Sequence, residues 1–167
     1  ELTTSPDAVF ARIGATEAVF VRPDSPLKPF SGRVVRHDRV SLTSLDHGFY
    51  YDDVHLPVIV APVRDVGREW RYVVVDGAVV AGSAYAADGR TAQPDDPSGA
   101  PWAFAAAVVA HMAPPEPVFV LDVCVCDGDL ALLELNPFSG ADLYACDRRA
   151  VVQAVSADAG RSARTRE

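Results

Sequence analysis

Short apolar runs rich in Val, Ala and Leu, each closed by Pro, Gly or Asp, recur along the chain and predict strands more than helices. "EAVFVRP" reads as a strand halted by Pro23, and "RVVRHDRVSL" holds a short strand. "PVIVAPV" is β-branched, but Pro62 cannot donate to a ladder, so the run suits a strand end or a sheet edge. The clearest hairpin is "REWRYVVVDGAVVAGSAY", two β-rich runs joined by Asp76-Gly77, a pair favoured in two-residue type I′ turns. Counted outward from Val75 opposite Ala78, it places Arg71 across from Gly82 and Glu69 across from Ala84. Glu69 and Arg71 then share one face. "PVFVLDVCVC" and "LALLELN" predict a second hairpin with a three-residue connection, Asp127 to Asp129.

Helical signals are fewer. "SPDAVFARIG" has Ser5 as N-cap, Pro6 at the first helical position and Gly14 as exit. "PWAFAAAVVAHMA" is an alanine-rich helix stopped by Pro114 and Pro115, and "RRAVVQAV" is a last helix before a polar tail, residues 156–167, expected to be disordered. "SLTSLDHGFYYDD" is ambiguous, while "DSPLKPFSG" and "DGRTAQPDDPSGAP" are loops. The pattern predicts an α+β chain forming one domain over residues 1–155, with one lobe over about 1–56 and a second over about 57–155, divided near Leu56.

Net charge of -8 and a pI near 4.9 argue against a nucleic-acid grip, which needs a basic footprint. No run reaches the roughly 20 apolar residues of a membrane span, so no membrane partner and a cytoplasmic location are expected. The start at Glu1 suggests a piece of a longer protein. Cys124, Cys126 and Cys146 lack zinc-ligand spacing and read as small apolar residues of a reduced compartment. Lys28 is the only Lys against fourteen Arg, a hint of a point-charge role.

The second hairpin carries the chemistry. Asp122, Cys124 and Cys126 share a face of one strand; Leu132, Glu134 and Asn136 share a face of the other. With Cys126 opposite Leu130, Asp122 falls opposite Glu134, a like-charge pair that needs a cation between the two acids or a proton on one. Two carboxylates and an amide oxygen are hard donors that suit Mg²⁺ holding substrate phosphates. A solvated sheet face and a general-acid carboxyl pair are the alternatives. "VRPDSPLKPFSG" adds Arg22, Lys28, Ser31 and Gly32 in a loop able to cradle phosphate, although it is not the Gly-x-x-x-x-Gly-Lys-Ser/Thr loop.

In this order, "VFVRPDSPLKPFSG", "VIVAPVRDVGREWRYVVVDGAVV" and "VFVLDVCVCDGDLALLELNPFSGADLY" resemble the ATP-grasp superfamily of ATP-dependent ligases, over roughly Val19 to Asp147. "ExNPFSGADLY" looks like a small bacterial branch of it. The resemblance implies an ATP-grasp fold, two α+β lobes with antiparallel sheets gripping ATP between them. It implies Mg²⁺ held by Asp122, Glu134 and Asn136, with Arg22 standing where the family usually has a phosphate-binding lysine. Lys28, Ser31 and Gly32 would lie in the loop over the phosphates, Ala61, Pro62 and Val63 in the hinge meeting adenine, and Glu69 at the ribose. Arg71 and Lys28 would be the catalytic cations. The implied reaction joins a small carboxylate or peptide-like substrate to an amine through an acyl phosphate. A phosphotransferase of the same fold and a non-catalytic ATP sensor are the other readings. Ser139 and Asp142, in the turn after Asn136, are candidates to face the substrate.

Overall fold

The computed structural model describes residues 17–24, 31–36, 57–86 and 92–164. The predicted first helix, the Lys28 loop and the ambiguous stretch 41–53 lie outside them. The chain divides into two compact units, Glu1–Arg64 and Asp65–Glu167. The division falls after the "VIVAP" strand and not before it, near Leu56, because that strand pairs with the strand ending at Pro23.

The first unit holds an antiparallel three-stranded sheet of β1 (Ala18–Pro23), β2 (Arg33–Arg36) and β3 (Val58–Pro62), in the order β2-β1-β3. Val19, Val21 and Val35 are its buried residues, on the alternation expected of a one-sided sheet. β3 lies at the edge of this sheet, where Pro62 costs no ladder bond. Gly32 lies against the Phe20 ring, where a Cβ would come within 2.4 Å of it.

The second unit is a five-stranded antiparallel sheet in the order β6-β5-β4-β7-β8. Its strands are β4 (Val66–Val75), β5 (Ala78–Ala86), β6 (Gln93–Pro94), β7 (Val118–Cys126) and β8 (Asp129–Pro137). Helix α1 (Ala100–His111) packs Ala105 and Val109 on one face, against Trp70, Tyr72, Val74, Phe119, Leu121 and Val123. Helix α2 (Arg148–Arg164) packs Val151 on the other, against Val73, Val75, Ala81, Val120 and Cys146. Covered on both sides, the central strands β4 and β7 need the near-continuous apolar runs "YVVV" and "FVL" that they carry.

Both hairpin turns have two residues in the left-handed region, Asp76-Gly77 (φ 49° and 74°) and Asp127-Gly128 (φ 53° and 95°). The second connection is therefore one residue shorter than predicted, and Cys126 pairs with Asp129 instead of Leu130. A bulge then adds Leu133 between the Val123–Leu132 and Asp122–Glu134 pairs, which brings Asp122 opposite Glu134 after all. It also places Leu132 on the face opposite Glu134. Leu133 and Leu135 do not anchor a face: on the edge strand β8 they are 40% and 37% exposed.

The β4–β5 register also differs from the count. It starts with Val75 opposite Ala78, but a bulge after the Val74–Val79 pair sets Arg71 opposite Ser83, and a second sets Glu69 opposite Ala86. Ser83 and Tyr85 consequently join Arg71's face, while Gly82 and Ala84 turn toward α1. The tail is not disordered through 156–164, since α2 continues to Arg164. Alanines support the helix, Arg161 pairs with Asp158 and with Asp76 of the first hairpin turn, and its charge suits the helix C-terminus.

Gly82 lies under the rings of Tyr72 and Trp102, where a Cβ would meet Tyr72 at 2.6 Å and Trp102 at 3.1 Å. Tyr72 is fully buried and its hydroxyl donates to Asp95 Oδ2 at 2.6 Å, so the ring cannot swing away cheaply. Gly82→Ala is expected to destabilise the second unit by about 2 kcal/mol, measured by urea denaturation. A loss below about 0.5 kcal/mol would show that the ring gives way.

Candidate functional site

Arg71, Asp122 and Glu134 stand side by side on adjacent strands β4, β7 and β8, in direct register. The cation demanded by the two opposed acids is supplied by the protein itself. Arg71 Nε donates to Asp122 Oδ1 at 2.9 Å and Nη2 to Oδ2 at 2.7 Å, a bidentate pair with Asp122 0% and Arg71 11% exposed. Burial pushes the Asp122 carboxyl above its usual range, Arg71 pulls it down, and Glu134, within hydrogen-bonding reach, pushes it up again. The same pair raises the Arg71 pKa, so the guanidinium stays charged.

Around this pair lies a second layer. Tyr85 donates its hydroxyl proton to Glu69 Oε2 at 2.6 Å, and its oxygen is 3.4 Å from Asp122 Oδ2. Its ring stacks on Tyr144, centroids 4.5 Å apart and planes within 2° of parallel. The Arg71 guanidinium carbon is 5.4 Å from the Tyr85 ring centroid and 5.1 Å from that of Tyr144. Burial and the Glu69 bond raise the Tyr85 pKa and keep its proton in place.

The segment after β8 folds over the same cluster. Arg71 Nη1 donates to the Asp142 carbonyl at 3.1 Å. The Asp142 carboxylate accepts from Tyr144 N–H at 2.8 Å, bracing Tyr144 at a left-handed φ of 48°. Buried Ser83 Oγ accepts from Ala145 N–H at 3.1 Å. Asp142 thus serves this turn with its side chain and Arg71 with its backbone. Ser139 sits exposed in the turn next to Gly140. Cys146 packs beneath, its thiol pushed up to about 11 by burial, and Cys124 is likewise buried and raised; both behave as packing residues.

Glu134 and Asn136 are half-buried, and Asn136 Nδ2 donates to Glu134 Oε1 at 2.7 Å. Among the described residues no three His, Cys, Asp or Glu side chains gather as a metal cluster. A cation here would draw on two carboxylates and the Asn136 amide oxygen. That donor set is hard and chemically suited to Mg²⁺. Each Asp122 oxygen, after accepting from Arg71, keeps a further lone pair.

In the first unit Arg22 is exposed on β1 opposite Ile59, and Ala61 and Pro62 end β3, with Val63 following. The Ser31 carbonyl accepts from Arg33 Nε and Nη2, both at 3.3 Å. Lys28 lies outside the described residues.

A family model of the ATP-grasp domain, the second family of its clade, matches residues 6–154. The chain belongs to the ATP-grasp family. Among curated proteins no significant match is found. Solved structures similar to this ATP-grasp chain include the ATP-grasp ligase PsnB with its minimal precursor, at 19% identity, TM-score 0.49, covering 94% of this chain and 53% of that one. PsnB with minimal precursor, Mg and ADP is 18% identical, TM-score 0.47, covering 86% and 46%. The chain thus spans about half the length of these structures. Among the described residues no helix of this ATP-grasp domain is long and apolar enough to cross a membrane.

Tyr85 and Tyr144 are the members of the cluster that the sequence alone does not reveal. The counted register turns Tyr85 to the other face, and Tyr144 sits in a turn without periodicity. Asp122→Asn would leave the Arg71 guanidinium buried without its counter-charge. Denaturant titration should show a loss of about 3 kcal/mol, and a loss under about 1 kcal/mol would mean that solvent already screens the pair.

Proposed function

We propose that this ATP-grasp domain binds Mg·ATP and serves an ATP-dependent ligase that activates a carboxylate as its acyl phosphate for attack by an amine or similar nucleophile. The observation that carries the reading is the Asp122–Glu134 register pair, with Asn136 two residues on, inside a chain whose family membership spans residues 6–154. Oxygen donors of this kind on one sheet face suit a cation that also holds phosphates.

In this reading Asp122, Glu134 and Asn136 hold Mg²⁺. When bound, the ion neutralises charge on the phosphates and on the transferred group. Arg71 has one N–H left on each terminal nitrogen after serving Asp122 and Asp142. Those N–H groups are its means of stabilising charge on the transferred phosphoryl group or on the acyl phosphate. Its clamp to Asp122 prevents reorientation during the reaction, the preorganisation that makes electrostatic stabilisation effective. Glu69 accepts from the ribose through the carboxylate that Tyr85 already holds at one oxygen. The family alone assigns Arg22, Lys28, Ser31 and Gly32 to the phosphates and Ala61, Pro62 and Val63 to adenine.

Activation is needed because a free carboxylate expels oxide or hydroxide poorly, whereas phosphate departs readily. Attack of the carboxylate oxygen on the γ-phosphorus breaks the bond to ADP. The nucleophile then displaces phosphate from the acyl carbon and loses its proton. A small carboxylate or the carboxylate of a peptide satisfies this scheme.

Calorimetric titration with ATP, with and without Mg²⁺, tests the reading. The unchanged protein should bind Mg·ATP more tightly than ATP alone, and Glu134→Gln should weaken Mg-dependent binding by roughly tenfold or more. Equal binding in both proteins would remove the proposed cation site.

A further inference from the structure

Tyr85 is the extra residue of a β5 bulge: Trp70 pairs with Ala84 and Glu69 with Ala86, and Tyr85 has no partner position of its own on β4. Bulges re-aim a side chain, and this one aims a phenol at the acid cluster. One hydroxyl carries one proton, and the distances decide where it goes: 2.6 Å to Glu69 Oε2 against 3.4 Å to Asp122 Oδ2. The ring cannot drift, because it is stacked on Tyr144, whose own backbone is braced by Asp142.

Glu69 needs such a support. It is half-buried near the start of β4, and an unrestrained Glu side chain loses about 1.5–2 kcal/mol of rotamer freedom when fixed. Prior fixing by the Tyr85 hydroxyl removes much of that cost from any later ligand contact. The same hydroxyl, touching Glu69 and approaching Asp122, spans the residues assigned to the two ends of the nucleotide.

We infer that Tyr85 is a positioning residue for ribose recognition: its hydroxyl presets the Glu69 carboxylate relative to the Arg71–Asp122 pair, so that selection for an intact ribose depends on it. The inference rests on the Mg·ATP reading above. It concerns the sugar and not the phosphates, so the two separate experimentally.

Dissociation constants for ATP, 2′-deoxy-ATP and 3′-deoxy-ATP, each with Mg²⁺, are to be measured by calorimetry on the full chain. The unchanged protein should prefer ATP over at least one deoxy analogue. Tyr85→Phe, which keeps the ring stack and removes one oxygen, should reduce that preference by roughly tenfold. The tighter binding of ATP over ADP should stay as it was. Glu69→Gln should lose the same preference, and adding Tyr85→Phe to it should change little more. Tyr85→Leu is the second variant should the Phe protein prove unstable, with the same expected loss of preference.

An undiminished preference for ATP in the Tyr85 variant, or an equal weakening of all three nucleotides, would overturn the proposal. Equal affinity for all three in the unchanged protein would take Glu69 off the ribose and overturn it too, with ATP binding intact. No binding of any nucleotide by the unchanged protein would overturn the Mg·ATP reading, and the proposal with it.

Discussion

The buried ion pair between Arg71 and Asp122 is the constraint around which the second unit is arranged. Two charges placed between the central strands β4 and β7 carry a desolvation cost of several kcal/mol each, and an apolar pair of similar volume would often be as stable or more so. The cost is offset by the bidentate geometry, the Asp142 carbonyl, and two tyrosine rings beside the guanidinium. Each offsetting group comes from a different place: β7, the turn after β8, and β5. The pair therefore fixes how these segments meet. A sheet whose neighbouring positions are Val73 and Val120 has no packing need for such a pair, which points to a role in the site.

Much of this is legible in the chain. The apolar runs, the Asp-Gly turns and the helix between Ala100 and Pro114 follow from local rules, and so does the opposition of Asp122 and Glu134. That opposition is reached through two compensating differences. The turn is one residue shorter than counted, and the bulge at Leu133 restores the register. Bulges leave no mark in a two-residue period, because one extra residue looks like any other until the partner strand is known. The first hairpin shows the other outcome: its bulge turns Ser83 and Tyr85 toward Arg71 in place of Gly82 and Ala84. The question of what meets the acids is thus visible in the sequence, but its answer, Arg71 on the adjacent strand, requires the β4–β7 pairing that joins distant segments.

The turn "PFSGADLY" illustrates a different limit. Its residues suggest contacts with substrate, whereas Asp142 uses its carboxylate to brace Tyr144 and its carbonyl to hold Arg71. Side-chain type cannot reveal that a backbone oxygen carries the contact. The family match across residues 6–154 gives these details a context: the acids and the asparagine of β8 occupy the face on which an ATP-grasp domain is proposed to hold its cation. Stability and function pull against each other at this face, and the protein retains charge where apolar packing would serve the fold.

The most direct measurement of that claim is the double replacement Arg71→Met with Asp122→Leu, assayed for both stability and Mg·ATP binding. The account predicts that the paired variant recovers unfolding stability to within about 1 kcal/mol of the unchanged protein while Mg-dependent ATP binding is lost. A variant that is stable and still binds Mg·ATP with unchanged affinity would contradict it.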